Sequence, residues 1–350
     1  FFKTYFKEYA QGILKIYQVN LVKYRLFHEL KLPTLTTRNE MGQNMIHKGY
    51  LYLISCACSF GFITTLAKIS YNEGATPHTV VFFRILSTCL IMGIWSFWTG
   101  SKIKSRKKTK EQVVFNSPLR LKIVVTGICV SVMSLGYLGS VKYIPVSLSV
   151  LLFFTFPFWV LIINFIIDRD IPKPHKLFAF IIAFFGLTLS LGPTWDVLDL
   201  VGILLVLCGS VAHAVYIVTG SKAVQIIATH DMLFYSNTIA VFLVGAVMFF
   251  SDTFSINHTI LGWTGIGAVC LLFTIGQVFL FKGTKHTGSA QASLILNVEP
   301  IISIVAAIIL LGEQMTIAQY IGVSVVITAL FLAGDNLNKF FLKQKRQTVL

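Results

Sequence analysis

Two ionisable side chains interrupt apolar stretches of this sequence, and their chemistry is complementary. Arg84 lies in the apolar run that begins near His78, and Glu299 lies in the run that ends near Leu311. A guanidinium group binds anions, whereas a carboxyl group binds cations or exchanges a proton. Arg84 would therefore contact an anionic group of a solute, pair with Glu299, or contact a neighbouring helix and only organise the fold. Glu299 would carry a proton, or it would act as a fixed counter-charge or cap beside Pro300, whose ring removes one helical N–H.

Further polar side chains within apolar stretches widen the set of candidates. His213 carries an imidazole, which titrates near neutral pH, or it forms a plain hydrogen bond between helices. Pro157 and Pro300 interrupt two apolar stretches, where they would act as hinges or as bends needed for packing. Amide side chains, which would line a cavity or bridge helices, occur at Asn164, Asn237, Gln277 and Asn297.

The spacing of the remaining reactive side chains does not favour an enzyme or a metal site. Asp168, Asp170 and His175 form the one cluster in the sequence of the kind that a membrane enzyme would need. The sequence has no nucleotide-binding motif. The six cysteines lie within apolar runs, where small packing residues are expected. We therefore expect no catalytic residue, no metal site and no cofactor.

The elements that position these residues are predicted to be membrane-spanning helices. The chain has 350 residues, of which 55% are hydrophobic and 12% are charged, whereas a soluble protein is about one quarter charged. A spanning helix needs about 20 mostly apolar residues, and the candidate segments lack the alternation of β-barrel strands. The ten predicted spans are Gly49–Ile69, His78–Thr99, Leu121–Tyr143, Val146–Ile167, Leu177–Gly192, Leu200–Gly220, Asp231–Phe250, Ile260–Lys282, Gly288–Gly312 and Thr316–Gly334.

The net charge of +15 is better explained by membrane orientation than by nucleic-acid binding. If the N-terminus lies in the cytoplasm, nearly all Lys and Arg residues fall on the cytoplasmic side, notably in the loop 102–110. This asymmetry follows the positive-inside rule and predicts that both termini are cytoplasmic. Residues 1–48 form a basic segment, which either lies on the membrane surface or, ahead of Met41, is upstream sequence translated in error.

The two halves of the chain repeat one pattern. A shift of 143 residues places Pro157 on Pro300 and Asp170 on Glu313, so that an acid follows each proline at the same distance. A shift near 153 aligns the first span with the sixth. Because each half has five spans, an odd number, the second half enters the membrane from the opposite side, and a solute cavity is expected between the halves. The predicted units are residues 1–48, 49–193, 199–335 and 336–350.

Several short motifs in the two halves occur together in one known family. In the first half they are Ser59-Phe60-Gly61, Lys68, Pro77 and Arg84, and in the second half they are Glu299-Pro300, Leu310-Leu311-Gly312-Glu313 and Gly322. On these residues the chain resembles the drug/metabolite transporter superfamily, EamA type, over about residues 49–334. The resemblance implies ten helices in two EamA repeats, and transport, often export, of small metabolites such as amino acids, nucleotide derivatives or drugs. Family members often carry Trp-Gly where this chain has Phe60-Gly61, and Asp170 replaces the more usual Glu.

These features together predict an all-α integral membrane protein with ten transmembrane helices, arranged as two inverted-topology five-helix repeats. The predicted function is secondary active transport of a small polar metabolite by alternating access, as an exporter or an exchanger. The alternatives are a membrane-embedded binding or assembly protein without flux and, more distantly, an integral membrane enzyme. Expected partners are a small-molecule solute, with coupling to protons or counter-substrate left open, and the lipid bilayer, but not nucleic acid. A homodimer is left open, and the expected location is a bacterial inner membrane.

Overall fold

The described part of the chain is helical. The computed structural model describes residues 35–103, 117–140, 143–144, 146–169, 174–191, 199–255, 259–311 and 316–333, and within these ranges it contains no strand. Most of the basic loop, the C-terminal tail and the acids Asp170 and Glu313 lie outside these ranges. The chain divides at His47 into two units, and the packing described below lies within the second, Lys48–Leu350.

Twelve α-helices and one 3₁₀ turn make up the described ranges. In chain order they are α1 (Leu35–Asn72), α2 (Pro77–Ile103), α3 (Ser117–Ser140), α4 (Val146–Phe153), α5 (Phe156–Asp168), α6 (Pro174–Leu191), α7 (Leu200–Ala223), α8 (Thr229–Phe250), α9 (Ile260–Thr287), α10 (Ser289–Ile295), the 3₁₀ turn (Leu296–Val298), α11 (Glu299–Leu311) and α12 (Ile317–Ala333). Among the described residues, eight helical stretches are long and apolar enough to cross a membrane. Two shorter apolar helices, Pro174–Leu189 and Ile317–Ala329, occupy the fifth and tenth predicted positions. By length and composition, the chain is a multi-pass membrane protein.

The outer surface of the helix bundle is apolar. Phe249 is 80% exposed and Phe250 is 85% exposed, and many other large apolar side chains also face outward. Side chains from both halves, among them Leu53, Val130 and Tyr216, form one buried cluster inside the bundle. An apolar exterior of this extent marks a surface that is covered by something other than water, which for spanning helices is lipid.

The fourth and ninth predicted spans, which the sequence predicted to be interrupted by a hinge or a bend at Pro157 and Pro300, are each divided into two helices. In the fourth span, α4 ends at Phe153 and α5 begins at Phe156, directly before Pro157. In the ninth span, the 3₁₀ turn separates α10 from α11, whose second residue is Pro300. A proline ring removes one backbone N–H and clashes with the preceding turn, so a helix readily begins there but does not easily continue through it.

The two breaks occupy equivalent positions in the repeat. The shift of 143 residues carries the bounds of α5 onto the bounds of α11. At the first break, Oγ1 of Thr155 donates a hydrogen bond to the carbonyl oxygen of Leu152 at 2.7 Å. The backbone N–H of Thr155 donates to the same oxygen at 3.2 Å, so this acceptor at the end of α4 has two partners inside the bundle.

Helices contact each other in pairs that the repeat relates. Helix α3 packs along α7, and the counterpart of that pair, α9, packs along α1. A Cβ added to Gly202 would lie 2.8 Å from Cβ of Tyr143, and a Cβ added to Gly49 would lie 2.9 Å from Cβ of His286. These four residues are equivalent under the two shifts, so the same glycine-mediated approach of helices occurs twice.

Other helix pairs are also related to each other by the repeat. Helix α8 packs on α3 as α2 packs on α9, and α5 packs on α7 as α11 packs on α1. The helices equivalent to each other, α2 with α8 and α6 with α12, are in direct contact. Reciprocal pairing of this kind is what two repeats related by a two-fold axis produce, and it places the interface between the halves in the interior of the bundle.

Candidate functional site

Arg84 lies on α2 and reaches the interior of the bundle. Its Nη2 donates a hydrogen bond to Oγ of Ser134 on α3 at 3.2 Å. Its guanidinium carbon lies 4.5 Å from the centre of the Phe273 ring on α9, a cation–π contact worth about 2 kcal/mol or more where water is excluded. The Nε atom is buried and has no hydrogen-bond partner. Helices of both halves therefore hold Arg84, while part of its hydrogen-bonding capacity is unused.

Glu299 is the first residue of α11 and directly follows the 3₁₀ turn. The residue is partly buried. Within the described ranges, the carboxyl group forms neither a hydrogen bond nor an ion pair. Arg84 lies within electrostatic range of Glu299 without contacting it directly.

Two tyrosines lie close to these charged groups. Tyr71 on α1 and Tyr137 on α3 are both within electrostatic range of Arg84, and Tyr137 is also within range of Glu299. The ring centre of Tyr137 lies 4.9 Å from that of Phe153, the last residue of α4. A phenol both donates and accepts hydrogen bonds, so these side chains supply neutral polar contacts beside the two charges.

Aromatic rings form a wall next to the guanidinium group. The ring centre of Phe60 on α1 lies 5.9 Å from that of Phe273, the same ring that Arg84 covers. We call this group of six residues the central site: Phe60, Tyr71, Arg84, Tyr137, Phe273 and Glu299.

Four members of the central site were not among the sequence-based candidates. Tyr71 and Tyr137 lie near predicted span ends, where tyrosine is usually an interface anchor. Phe273 belongs to a run of apolar residues that gives no sign of a polar neighbour. The repeat did hold a signal for Phe60, because a shift of 153 residues places it on His213.

Asn237 and Gln277 form the second-half counterpart of the Arg84–Ser134 contact. The two shifts place Asn237 on Arg84 and Gln277 on Ser134. Nδ2 of Asn237 donates hydrogen bonds to Oε1 of Gln277 at 3.0 Å and to the carbonyl oxygen of Leu233 at 2.8 Å. Oδ1 of Asn237 and Nε2 of Gln277 are buried and have no partner. The same inter-helix contact is thus charged in the first half and neutral in the second.

His213 lies in an aromatic environment at the side of the central site. Its Nδ1 is 3.0 Å from Sδ of Met133, and its ring centre is 4.5 Å from that of Phe156. The contact between His213 and Met133 has its equivalent in the other repeat between Phe60 and Gly276. A Cβ added to Gly276 would lie 2.2 Å from Cε1 of Phe60. The structure therefore places His213 in a position that is an aromatic packing position in both halves.

The other two amide candidates lie at the broken spans. Asn164 on α5 exchanges hydrogen bonds with Ser289 at the start of α10, which bridges the two halves. Asn297 lies in the 3₁₀ turn, where both atoms of its amide group are buried without a partner. Pro157 and Pro300 are buried at the two breaks. In the ranges that the structure covers, no group of three or more His, Cys, Asp or Glu residues is placed to hold a metal ion.

Comparison with known proteins identifies relatives of this arrangement. The EamA-like transporter family matches residues 47–192 and again residues 200–334. An uncharacterized transporter of Clostridium kluyveri is 22% identical over 294 residues, which cover 80% of this chain and 91% of that protein. A protein known from a crystal structure superposes with a TM-score of 0.63 at 14% identity, over 83% of this chain and 97% of the other. At this level of identity, the likeness to the solved structure concerns the fold alone.

Proposed function

Because the chain belongs to the EamA-like transporter family, we propose that it is a secondary active transporter of a small polar metabolite, working by alternating access as an exporter or an exchanger. The family makes it a membrane transport protein whose partners are a small-molecule solute and the bilayer. The observation that carries the finer proposal is that Arg84 and Glu299 lie within electrostatic range inside the bundle without forming an ion pair.

The central site suits a solute that is polar at one point and flat or apolar elsewhere. A charge inside the bundle without a counter-ion is costly, so an anionic group of a solute is expected to bind to the guanidinium of Arg84. Tyr71 and Tyr137 would add neutral hydrogen bonds, and the rings of Phe60 and Phe273 would contact apolar parts. Pockets for small molecules commonly combine apolar walls with a few polar groups in this way. Amino acids and nucleotide derivatives are examples of solutes with these features.

The broken spans are the proposed moving parts. Pro157 and Pro300 would act as hinges, since each lies where one short helix ends and the next begins. Discontinuous helices at equivalent positions in two repeats are typical of secondary transporters, which place solute sites beside them. Glu299 begins one of these helices, so movement there would change the surroundings of its carboxyl group.

The repeat and the charge distribution support a definite orientation for the proposed transporter. Residues 49–193 and 199–335 would form two repeats of opposite orientation, with the site between them. The excess of Lys and Arg in the connections assigned to one side supports cytoplasmic termini in a bacterial inner membrane. We further propose that transport is coupled to protons or to counter-substrate. Asp170 and Glu313 are assigned to the ends of the two repeats. Whether two copies associate does not enter the mechanism.

Counterflow in proteoliposomes tests the proposal directly. Purified protein is reconstituted with an excess of one unlabelled metabolite inside, and entry of the same labelled metabolite is followed across a panel of solutes. Transient accumulation above the level of protein-free liposomes is expected for at least one solute. An imposed pH gradient, with and without a proton ionophore, then separates proton coupling from exchange. Failure of every solute to move in either direction would contradict transport, and saturable binding without movement would favour a binding protein instead.

A further inference from the structure

At one end of the bundle, two polar contacts fasten α5 to helices of the other half. Nδ2 of Asn164 donates a hydrogen bond to Oγ of Ser289 at 3.0 Å, and this hydroxyl donates back to Oδ1 of Asn164 at 3.1 Å. One helical turn further along α5, Oδ1 of Asp168 accepts a hydrogen bond from Nζ of Lys222 at 2.6 Å. Ser289 begins α10 and Lys222 lies in the last turn of α7, so both partners belong to the second half.

The two contacts differ in how they depend on water. Asn164 and Ser289 are buried, and their reciprocal bonds satisfy groups that would otherwise lack partners inside the bundle. The side chains of Lys222 and Asp168 are 28% and 47% exposed. An ion pair with this much exposure is weak alone and is screened by salt.

The repeat does not reproduce this polar arrangement. Under the shifts of 143 and 153 residues, the positions equivalent to these four carry neither a charge nor an amide: Ala307, Leu311, Val146 and Ile69. In inverted repeats, equivalent positions lie toward opposite sides of the membrane. The two ends of the bundle therefore differ chemically at positions where the backbone pattern is the same.

We propose that these contacts form a latch (Asn164, Asp168, Lys222 and Ser289) that holds the bundle closed at the end we place in the cytoplasm. This inference rests on the alternating-access transport proposed above. Opening at this end by separation of α5 from α7 and α10 would break both contacts, whereas the four equivalent positions at the other end have no polar side chain that could form such a pair. The latch therefore favours the cytoplasm-closed conformation, and salt weakens it through the ion pair.

Hydrogen–deuterium exchange of the full-length protein in lipid nanodiscs measures this opening without any solute. The reporting peptides cover the end of α5, the end of α7 and the start of α10. Asp168→Asn should raise their exchange rates about threefold, as expected for an exposed ion pair. Asn164→Val should raise them about tenfold, because it leaves the buried hydroxyl of Ser289 without its partner. The exchanged pair Asp168→Lys/Lys222→Asp should return the rates toward those of the parent protein.

Matched controls separate the latch from charge effects in general. Lys285→Gln removes an exposed lysine near the same end, and Asp252→Asn removes an exposed carboxylate in the connection after α8. Neither should change exchange at the reporting peptides. Added salt should raise their exchange in the parent protein but not in Asp168→Asn.

Two results would overturn the latch. One is parent-like exchange of the reporting peptides in both Asp168→Asn and Asn164→Val, and the other is an equal rise in peptides at both ends, which indicates general loss of stability. If Asn164→Val does not fold, Asp168→Asn and the exchanged pair still decide. Because no solute is needed, a protein that transports nothing can still show the latch, and one that transports can still lack it.

Discussion

At the scale of single residues, Arg84 is the group that we expect to bind an anionic part of the solute. A charge-assisted hydrogen bond to a solute is worth about 1.5–3 kcal/mol, so we expect Arg84→Ala to lower counterflow about 10- to 100-fold. Arg84→Lys keeps the charge but loses the planar fork, and it should retain more flux than Arg84→Ala. Ser134→Ala, which removes only the contact that positions Nη2, should have a smaller effect than either. Normal counterflow by well-folded Arg84→Ala protein would assign the guanidinium to the organisation of the fold.

Substitution of Glu299 distinguishes its two possible roles, a proton carrier and a fixed counter-charge. Its carboxyl group has no ion pair among the described residues, as is expected of a group that exchanges a proton during transport. We expect Glu299→Gln, which keeps the shape but cannot ionise, to retain counterflow at equal pH and to lose uptake or efflux driven by a pH gradient. Asp252→Asn serves as the control for loss of an exposed carboxylate. Gradient-driven flux that persists in Glu299→Gln would rule out this carrier role.

The contact between Asn237 and Gln277 is expected to contribute to the free energy of unfolding. Asn237→Leu removes the donor to Oε1 of Gln277, and hydrogen bonds between membrane helices are worth roughly 0.6–2 kcal/mol. The free energy of unfolding in a detergent titration should fall by about that amount. The double variant Asn237→Leu/Gln277→Leu should lose less than the sum of the two single variants, because it leaves no unpaired amide. Additive losses would show that the two side chains do not depend on each other.

At the scale of helices, composition and spacing predicted where spans occur and where two of them are interrupted, but not whether an interrupted helix bends or stops. Pro157 and Pro300 predicted interruptions, yet a proline removes one hydrogen bond and many membrane helices continue past one with a kink. Whether a helix stops depends on the neighbours that satisfy its free ends. At the first break, the hydroxyl group of Thr155 contacts Leu152 nearby, but it also lies 2.9 Å from Oγ of Ser210 on α7, which is distant in sequence. The contact of Arg84 with Phe273, which joins α2 to α9, was unpredictable for the same reason.

Close approach between α3 and α7 gives a helix-scale test with a matched control. A Cβ added to Gly136 would lie 2.7 Å from the carbonyl oxygen of Leu205, and a backbone atom cannot move aside as a side chain can. Gly136→Ala should therefore destabilise the protein by about 1–3 kcal/mol. Gly267→Ala adds the same methyl group where nothing lies within 4 Å, so it should be neutral or stabilising by up to about 1 kcal/mol. Equal thermal melting of the two variants in detergent would contradict the tight α3–α7 contact.

At the scale of the whole molecule, one feature of the sequence predicts the fold and another predicts its orientation in the membrane. The repeat predicted that Pro157 and Pro300 are equivalent, and both lie at breaks, because equivalent residues in similar halves meet similar neighbours. Packing of this kind is the same whichever way the bundle faces the two sides of a membrane. Orientation must therefore come from the charges in the connections, which interact with the lipid surface and with the insertion machinery rather than with the core.

Reporter fusions test that orientation for the molecule as a whole. A fluorescent protein that matures in the cytoplasm, fused after Leu350, should be bright, and alkaline phosphatase fused at the same point should be inactive. Chains truncated in the connection 192–198, which is assigned to the outer side, should give the opposite result with the same two reporters. Replacing the bases of the loop 102–110 by Gln should lower the correctly oriented fraction, because the positive-inside asymmetry falls. Active phosphatase after Leu350 would reverse the orientation, and with it the side of the membrane on which the latch lies.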